Sequence, residues 1–114
     1  MDLTTAIDAH AQWRVKLKAA ITRGEQLDAL TIGQENECVL GKWLAGEGRS
    51  QFSARPEFQK LVASHQAFHA MAARAAAAVN AGKPADAEKI LNGQFRAQSL
   101  ETVAAIQACK KACN

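Results

Sequence analysis

The sequence predicts an all-α fold, an antiparallel four-helix bundle whose one short member carries Cys38. Three observations predict it. Apolar residues make up 48% of the chain, but they are mostly Ala and Leu, with no Tyr and few other aromatics, so strand-favouring residues are scarce. Apolar positions recur at helical spacing over three long stretches. The two prolines, Pro56 and Pro84, each stand where a helix would begin, and glycines stand where helices would end. At 114 residues the chain is expected to form one domain, 1–114, because its apolar content fills one core and not two.

The first helix is expected from about Leu3 to Arg23, with Asp2 or Thr4 to cap it and Gly24 to end it in a left-handed turn. Its apolar face reads Leu3, Ala6, Ile7, His10, Trp13, Leu17, Ala20, Ile21, which places His10 on the buried stripe. Residues 25–35 form a polar connection broken at Gly33. Asn36 is then placed to cap a short helix carrying Cys38, Val39, Leu40, Trp43 and Leu44, which stops at Gly46-Glu47-Gly48. Residues 49–55 read as irregular.

Pro56 suits the first turn of a third helix, where its missing N–H costs nothing. Phe58, Leu61, Val62, His65, Phe68, His69, Ala72, Ala76 and Val79 share one face of it, and its alanine-rich second half lets a neighbour come close. Ala81-Gly82 ends it. A fourth helix is expected from about Ala85 to Ala112, with Ala87, Leu91, Gln94 or Phe95, Gln98, Val103, Ile106 and Cys109 inward. Short connections force the long helices to run antiparallel.

The formal charge of +3 is small and scattered, and Lys110-Lys111 is the only basic doublet, which argues against a nucleic-acid partner. No apolar run approaches the roughly 20 residues of a membrane span. The N-terminus lacks the pattern of a secretory signal, and three cysteines without a framework of spacings do not suggest a disulfide scaffold. A cytoplasmic setting is the expectation, with the cysteines serving as ligands or packing residues.

All three histidines fall on apolar stripes. A buried neutral imidazole needs a partner for its ring nitrogens. His65 and His69 are four apart, so they lie one turn above each other and are spaced to clamp a single ion. His10 lies mid-stripe on a helix expected to pack beside theirs, and Cys38 opens the short helix. Three imidazoles and one thiolate form the tetrahedral N and S donor set that zinc prefers. Four protein donors close the coordination shell, which favours a structural or regulatory metal over hydrolysis. The inward stripes hold no carboxylates, which argues against a di-iron bundle.

Three segments carry a resemblance to a known family: His10-Ala11-Gln12-Trp13-Arg14, Cys38-Val39-Leu40-Gly41-Lys42-Trp43-Leu44, and His65-Gln66-Ala67-Phe68-His69. The segment at Cys38 is similar to a signature of Cys, any residue, Leu or Phe, Gly, any residue, Trp. In order, type and separation these segments resemble the bacterial chemoreceptor zinc-binding domain, which is found attached to cytoplasmic chemoreceptors and diguanylate cyclases. The resemblance implies a four-helix bundle, usually homodimeric, in which His10, Cys38, His65 and His69 bind one zinc ion. It further implies that an attached or trans-acting signalling domain reads zinc occupancy or oxidation of the cysteine, with hypochlorous acid as the oxidant in some members. Cys109 and Cys113 depart from the family pattern and are expected to be packing or frayed-end residues that can also form an intermolecular disulfide.

The residues themselves assign roles around the site. Gly41 is expected to let the short helix press against a long one. Trp13 and Trp43 are expected to wall the site, and Arg14 and Lys42 to be solvated, with a supporting role at the site open to Arg14. Two other functions remain compatible with the sequence: a purely structural zinc-stapled dimerisation domain, and a zinc hydrolase or lyase with three His ligands and an activated water. The hydrolase lacks a general base, since the nearest acidic residues, Glu35 and Glu37, sit beside Cys38 in the turn.

Overall fold

The computed structural model describes residues 3–28, 32–34 and 38–112, and among them there are helices and no strand. The helices that lie wholly within the described residues are, in order, α1 Leu3–Arg23, α2 Val39–Ala45, α3 Glu47–Phe52, α4 Pro56–Asn80, α5 Pro84–Asn92 and α6 Gln94–Ala112. Asp2, Glu35, Asn36, Glu37 and Cys113, named above, lie outside the described residues.

The long elements are α1, α4 and the nearly continuous pair α5 and α6, and α4 packs most extensively on α6. Arg14 meets the Asn92 amide, while Thr4, near the start of α1, meets Lys110, near the end of α6, so α1 and α6 run antiparallel. Gly24 (φ +67°) and Gly82 (φ +74°) adopt the left-handed conformation that ends α1 and α4 where the sequence places those ends. Pro56 occupies the first turn of α4 and Pro84 that of α5. Ala72, Ala75 and Ala76 are fully buried, so their small side chains let neighbouring helices approach α4 closely.

Four expectations are corrected. The fourth long helix is divided at Gly93, where a Cβ would lie 2.9 Å from the Lys89 carbonyl oxygen, so only glycine fits the turn between α5 and α6. Residues 47–52 are helical as α3, because Gly46 closes α2 through its N–H to Lys42 O and accepts from Ser50 N to open the next turn. Gly48, expected to help stop the short helix, instead lies in α3 beneath the Trp43 ring, whose carbons would sit 2.8 Å from any Cβ there. The cap of α2 is Cys38 itself, with extended backbone (φ −89°, ψ 158°), so no other residue fills that place.

Two apolar clusters fill the bundle. One gathers Leu3, Ala6, Leu40, Leu44, Phe58, Leu61, Ala105, Ile106 and Cys109. The other gathers Leu17, Ile21, Phe68, Ala72, Ala75, Val79, Ala87, Leu91 and Phe95. Cys109 is fully buried, which matches a packing role and removes it from any intermolecular disulfide of the folded chain. Ser64 and Thr102 join α4 to α6 by a buried 2.9 Å hydroxyl contact, and Gln98 donates to Ser64 O at 3.2 Å. No described helix is long and apolar enough to cross a membrane.

Candidate metal centre

His10, His65 and His69 meet at the boundary between the two clusters, all of them buried. Helical spacing sets His65 and His69 one turn apart on α4, with ring centroids 4.6 Å from each other. The His10 ring on α1 lies 5.0 Å from that of His65 and 5.8 Å from that of His69. Cys38, half-buried at the start of α2, completes the group, and one donor atom from each residue lies within 4.8 Å of all the others. The structure thus brings together all four residues expected from the sequence, and no carboxylate among the described residues joins them.

The hydrogen bonds orient the donors. His10 Nδ1–H donates to Ala6 O at 2.8 Å, and His69 Nδ1–H donates to Ile32 O at 2.8 Å. In a neutral ring this fixes Nε2 of each as a bare lone pair, the tautomer in which imidazole binds metal. His69 Nε2 stands 3.1 Å from His65 Nε2, and Cys38 Sγ stands 3.2 Å from the same nitrogen. Gly41 N–H donates to Cys38 Sγ at 3.3 Å, which favours the thiolate. This bond is the part Gly41 plays at the site.

His10 Nε2 is buried and has no hydrogen-bond partner. Such an orphan costs about 1–3 kcal/mol unless a cation takes its lone pair. Zinc bonds of about 2.0–2.1 Å to nitrogen and 2.3 Å to sulfur set the edges of a coordination tetrahedron at about 3.3 Å and 3.6 Å. The 3.1 Å and 3.2 Å separations are near those edges. Donor type, the His10 and His69 tautomers, these two separations and the orphaned nitrogen fit a zinc ion.

Burial lowers the His65 pKa from 6.5 to about 3, with the neighbouring His69 and His10 adding to the shift. Burial also lowers that of His10, against the opposing Ala6 hydrogen bond. Both rings are therefore neutral, metal-competent bases at physiological pH.

The family model of the chemoreceptor zinc-binding domain matches residues 10–76, a span that contains all four donors. The chain belongs to that family. Neither the curated proteins nor the solved structures compared with it contain a match. A chemoreceptor zinc-binding domain is a regulatory module, and this one carries a His, Cys, His, His cluster suited to the metal of the family's name.

Around the site of this chemoreceptor zinc-binding domain the sequence expectations divide. Trp13 packs edge-on to His69 at 6.1 Å between centroids and walls the site as expected. Trp43 does not; its ring packs against Phe58 at 5.9 Å and Phe52 at 6.1 Å in the short-helix half. Arg14 reaches Asn92 on the surface, and Lys42 is exposed, so neither supports the donors. The orienting acceptors Ala6 O and Ile32 O escape sequence reasoning, because a backbone carbonyl carries no side-chain signal.

Proposed function

We propose that this chain is a zinc-dependent sensory module of bacterial signalling, with His10, Cys38, His65 and His69 holding one zinc ion per chain. The observation that carries this reading is the convergence of four metal-type donors from three helices, one of them the orphaned His10 Nε2. Bound zinc supplies the positive charge that keeps a cysteine ligand deprotonated. The chain does the rest: Ala6 O and Ile32 O hold two imidazoles in register, and Gly41 N–H steadies the sulfur.

The site couples to the fold through Cys38. Its Sγ is both a donor of the cluster and the cap of α2, so a change at sulfur is a change at the entry of the short helices. The thiolate takes chlorine from hypochlorous acid as hydroxide leaves, and water displaces chloride from the resulting sulfenyl chloride, giving a sulfenic acid, a weaker donor. Loss of zinc has the same consequence by another route. Either event releases α2 and α3 for the output, a chemoreceptor or diguanylate cyclase, attached or acting in trans. The setting is cytoplasmic and the assembly a homodimer; exposed Val15 and Leu100 on α1 and α6 supply apolar surface for a second copy. No catalytic role is assigned, since four protein donors leave no open position and no described carboxylate serves as a base.

Zinc content of the native chain, of Cys38→Ala and of oxidant-treated protein tests this reading. One zinc per native chain is expected, with affinity lowered at least about a hundredfold in Cys38→Ala and zinc released by oxidant. Equal zinc affinity in Cys38→Ala contradicts the donor set. Zinc retention after oxidation of Cys38 removes the redox signal and leaves zinc availability as the signal.

A further inference from the structure

A cavity of about 380 Å³ lies between the short helices and α4, directly beside the donor cluster. Leu44, Phe58 and Val62 give it apolar walls, Arg49 and Gln66 stand among its polar lining, and His65 forms part of it. Its size is that of a small-ligand site with a few polar anchors. Its electrostatics are one-signed. No Asp or Glu is among the described lining residues, and the Arg49 guanidinium has no carboxylate partner among the described residues.

His65 supplies a second anchor. Its Nε2 faces Cys38 Sγ and His69 Nε2, so with zinc on Nε2 the ring proton sits on Nδ1. Metal-bound histidines nearly always donate that proton to an acceptor. His10 and His69 do so, to Ala6 O and Ile32 O, whereas His65 Nδ1 has no hydrogen-bond partner among the described residues. One zinc ion with one thiolate and three neutral imidazoles also carries a net charge of about +1. With zinc bound, the cavity would border a cationic cluster, an arginine without a carboxylate partner among the described residues, and the His65 ring, whose Nδ1–H would be left to donate.

We propose that this cavity binds a small organic carboxylate with an apolar body, whose oxygen accepts from His65 Nδ1–H and whose charge is met by Arg49. The inference rests on the zinc reading above, because zinc fixes the His65 proton on Nδ1 and sets the charge of the site. Occupancy then tightens zinc binding, and zinc tightens carboxylate binding by the same factor. The module thereby reads an organic acid together with the metal.

Benzoate titrated calorimetrically into the full chain tests the proposal, with benzyl alcohol as the neutral control and zinc content measured beforehand. Benzoate is expected to bind the zinc-loaded chain at least about tenfold more tightly than benzyl alcohol and than it binds Arg49→Gln, as befits a charge-assisted contact. Val62→Phe, which fills the cavity, is expected to abolish binding while leaving zinc content at the native level. Zinc removal is expected to weaken benzoate severalfold. Equal binding of benzoate and benzyl alcohol, or of native chain and Arg49→Gln, overturns the carboxylate site. Equal benzoate affinity with and without zinc overturns the link through His65. Failure of the zinc reading appears separately, as absence of bound zinc before any benzoate is added, and the Arg49 comparison on the zinc-free chain then still decides the cavity.

Discussion

The half of the bundle built on Leu17, Phe68, Ala72, Leu91 and Phe95 is enclosed by long helices, whereas the half around Leu40, Leu44 and Phe58 is closed by helices of seven and six residues. Helices that short do not persist alone in water. What holds α2 and α3 is burial of Leu40, Leu44 and Gly48, the packing of Trp43, and the attachment of Cys38 to the histidine cluster. The first half thus stands on apolar packing, and the second depends in addition on polar chemistry at one sulfur. A sensor needs such an asymmetry, because a stable scaffold lets one small region move without unfolding the rest.

The strongest way to break the comparison is to damage the packed half. Phe68 is fully buried, edge-on to His10 at 5.0 Å and near Phe95 at 5.2 Å. Phe68→Ala is expected to lower global stability by about 3–5 kcal/mol, read by denaturant unfolding, and to do so with or without zinc. A loss confined to the short helices contradicts the assignment of the scaffold to this half.

Acid separates the halves next. The His65 pKa is about 3 in the folded chain and near 6.5 unfolded, so between those values the unfolded state binds more protons. Stability of the zinc-free chain is then complete above about pH 6.5, falls as the pH drops below it and levels off near pH 3. His10, lowered in the same direction, adds to the slope. Thermal unfolding across this range measures it, and a flat profile contradicts the burial of the neutral rings.

A smaller effect sharpens the description of the short helices. In Gly48→Ala the new methyl meets the Trp43 ring at 2.8 Å, and the indole is held between Phe52 and Phe58. The expected cost is about 1–3 kcal/mol, with zinc stoichiometry unchanged, since the Trp43 ring packs on Phe52 and Phe58 and not on a histidine ring.

Much of the fold was legible in the sequence. Periodicity placed the buried faces of α1 and α4 almost residue by residue, and Gly24, Pro56 and Gly82 marked their ends, because local sterics and amphipathicity act through side chains. The four donors were legible for the same reason: three histidines on apolar stripes and a cysteine at a helix start are side-chain facts. The break at Gly93 was hidden by an apolar pattern that continues across it, although Asn92-Gly93 is a turn-forming pair. Helix α3 was hidden by Gly46 before it, Gly48 within it and its polar composition, which read as loop until Trp43 covers Gly48. The roles of Ala6 O and Ile32 O were not legible at all, since tertiary placement alone decides which carbonyl meets a ring nitrogen.

Amide hydrogen exchange on zinc-loaded and zinc-stripped chain tests the dependence of the short-helix half on the metal most directly. Loss of zinc is predicted to reduce protection at least about tenfold in residues 39–52 while residues 72–80 of α4 keep theirs. Uniform loss along the chain, or no change in residues 39–52, contradicts the account.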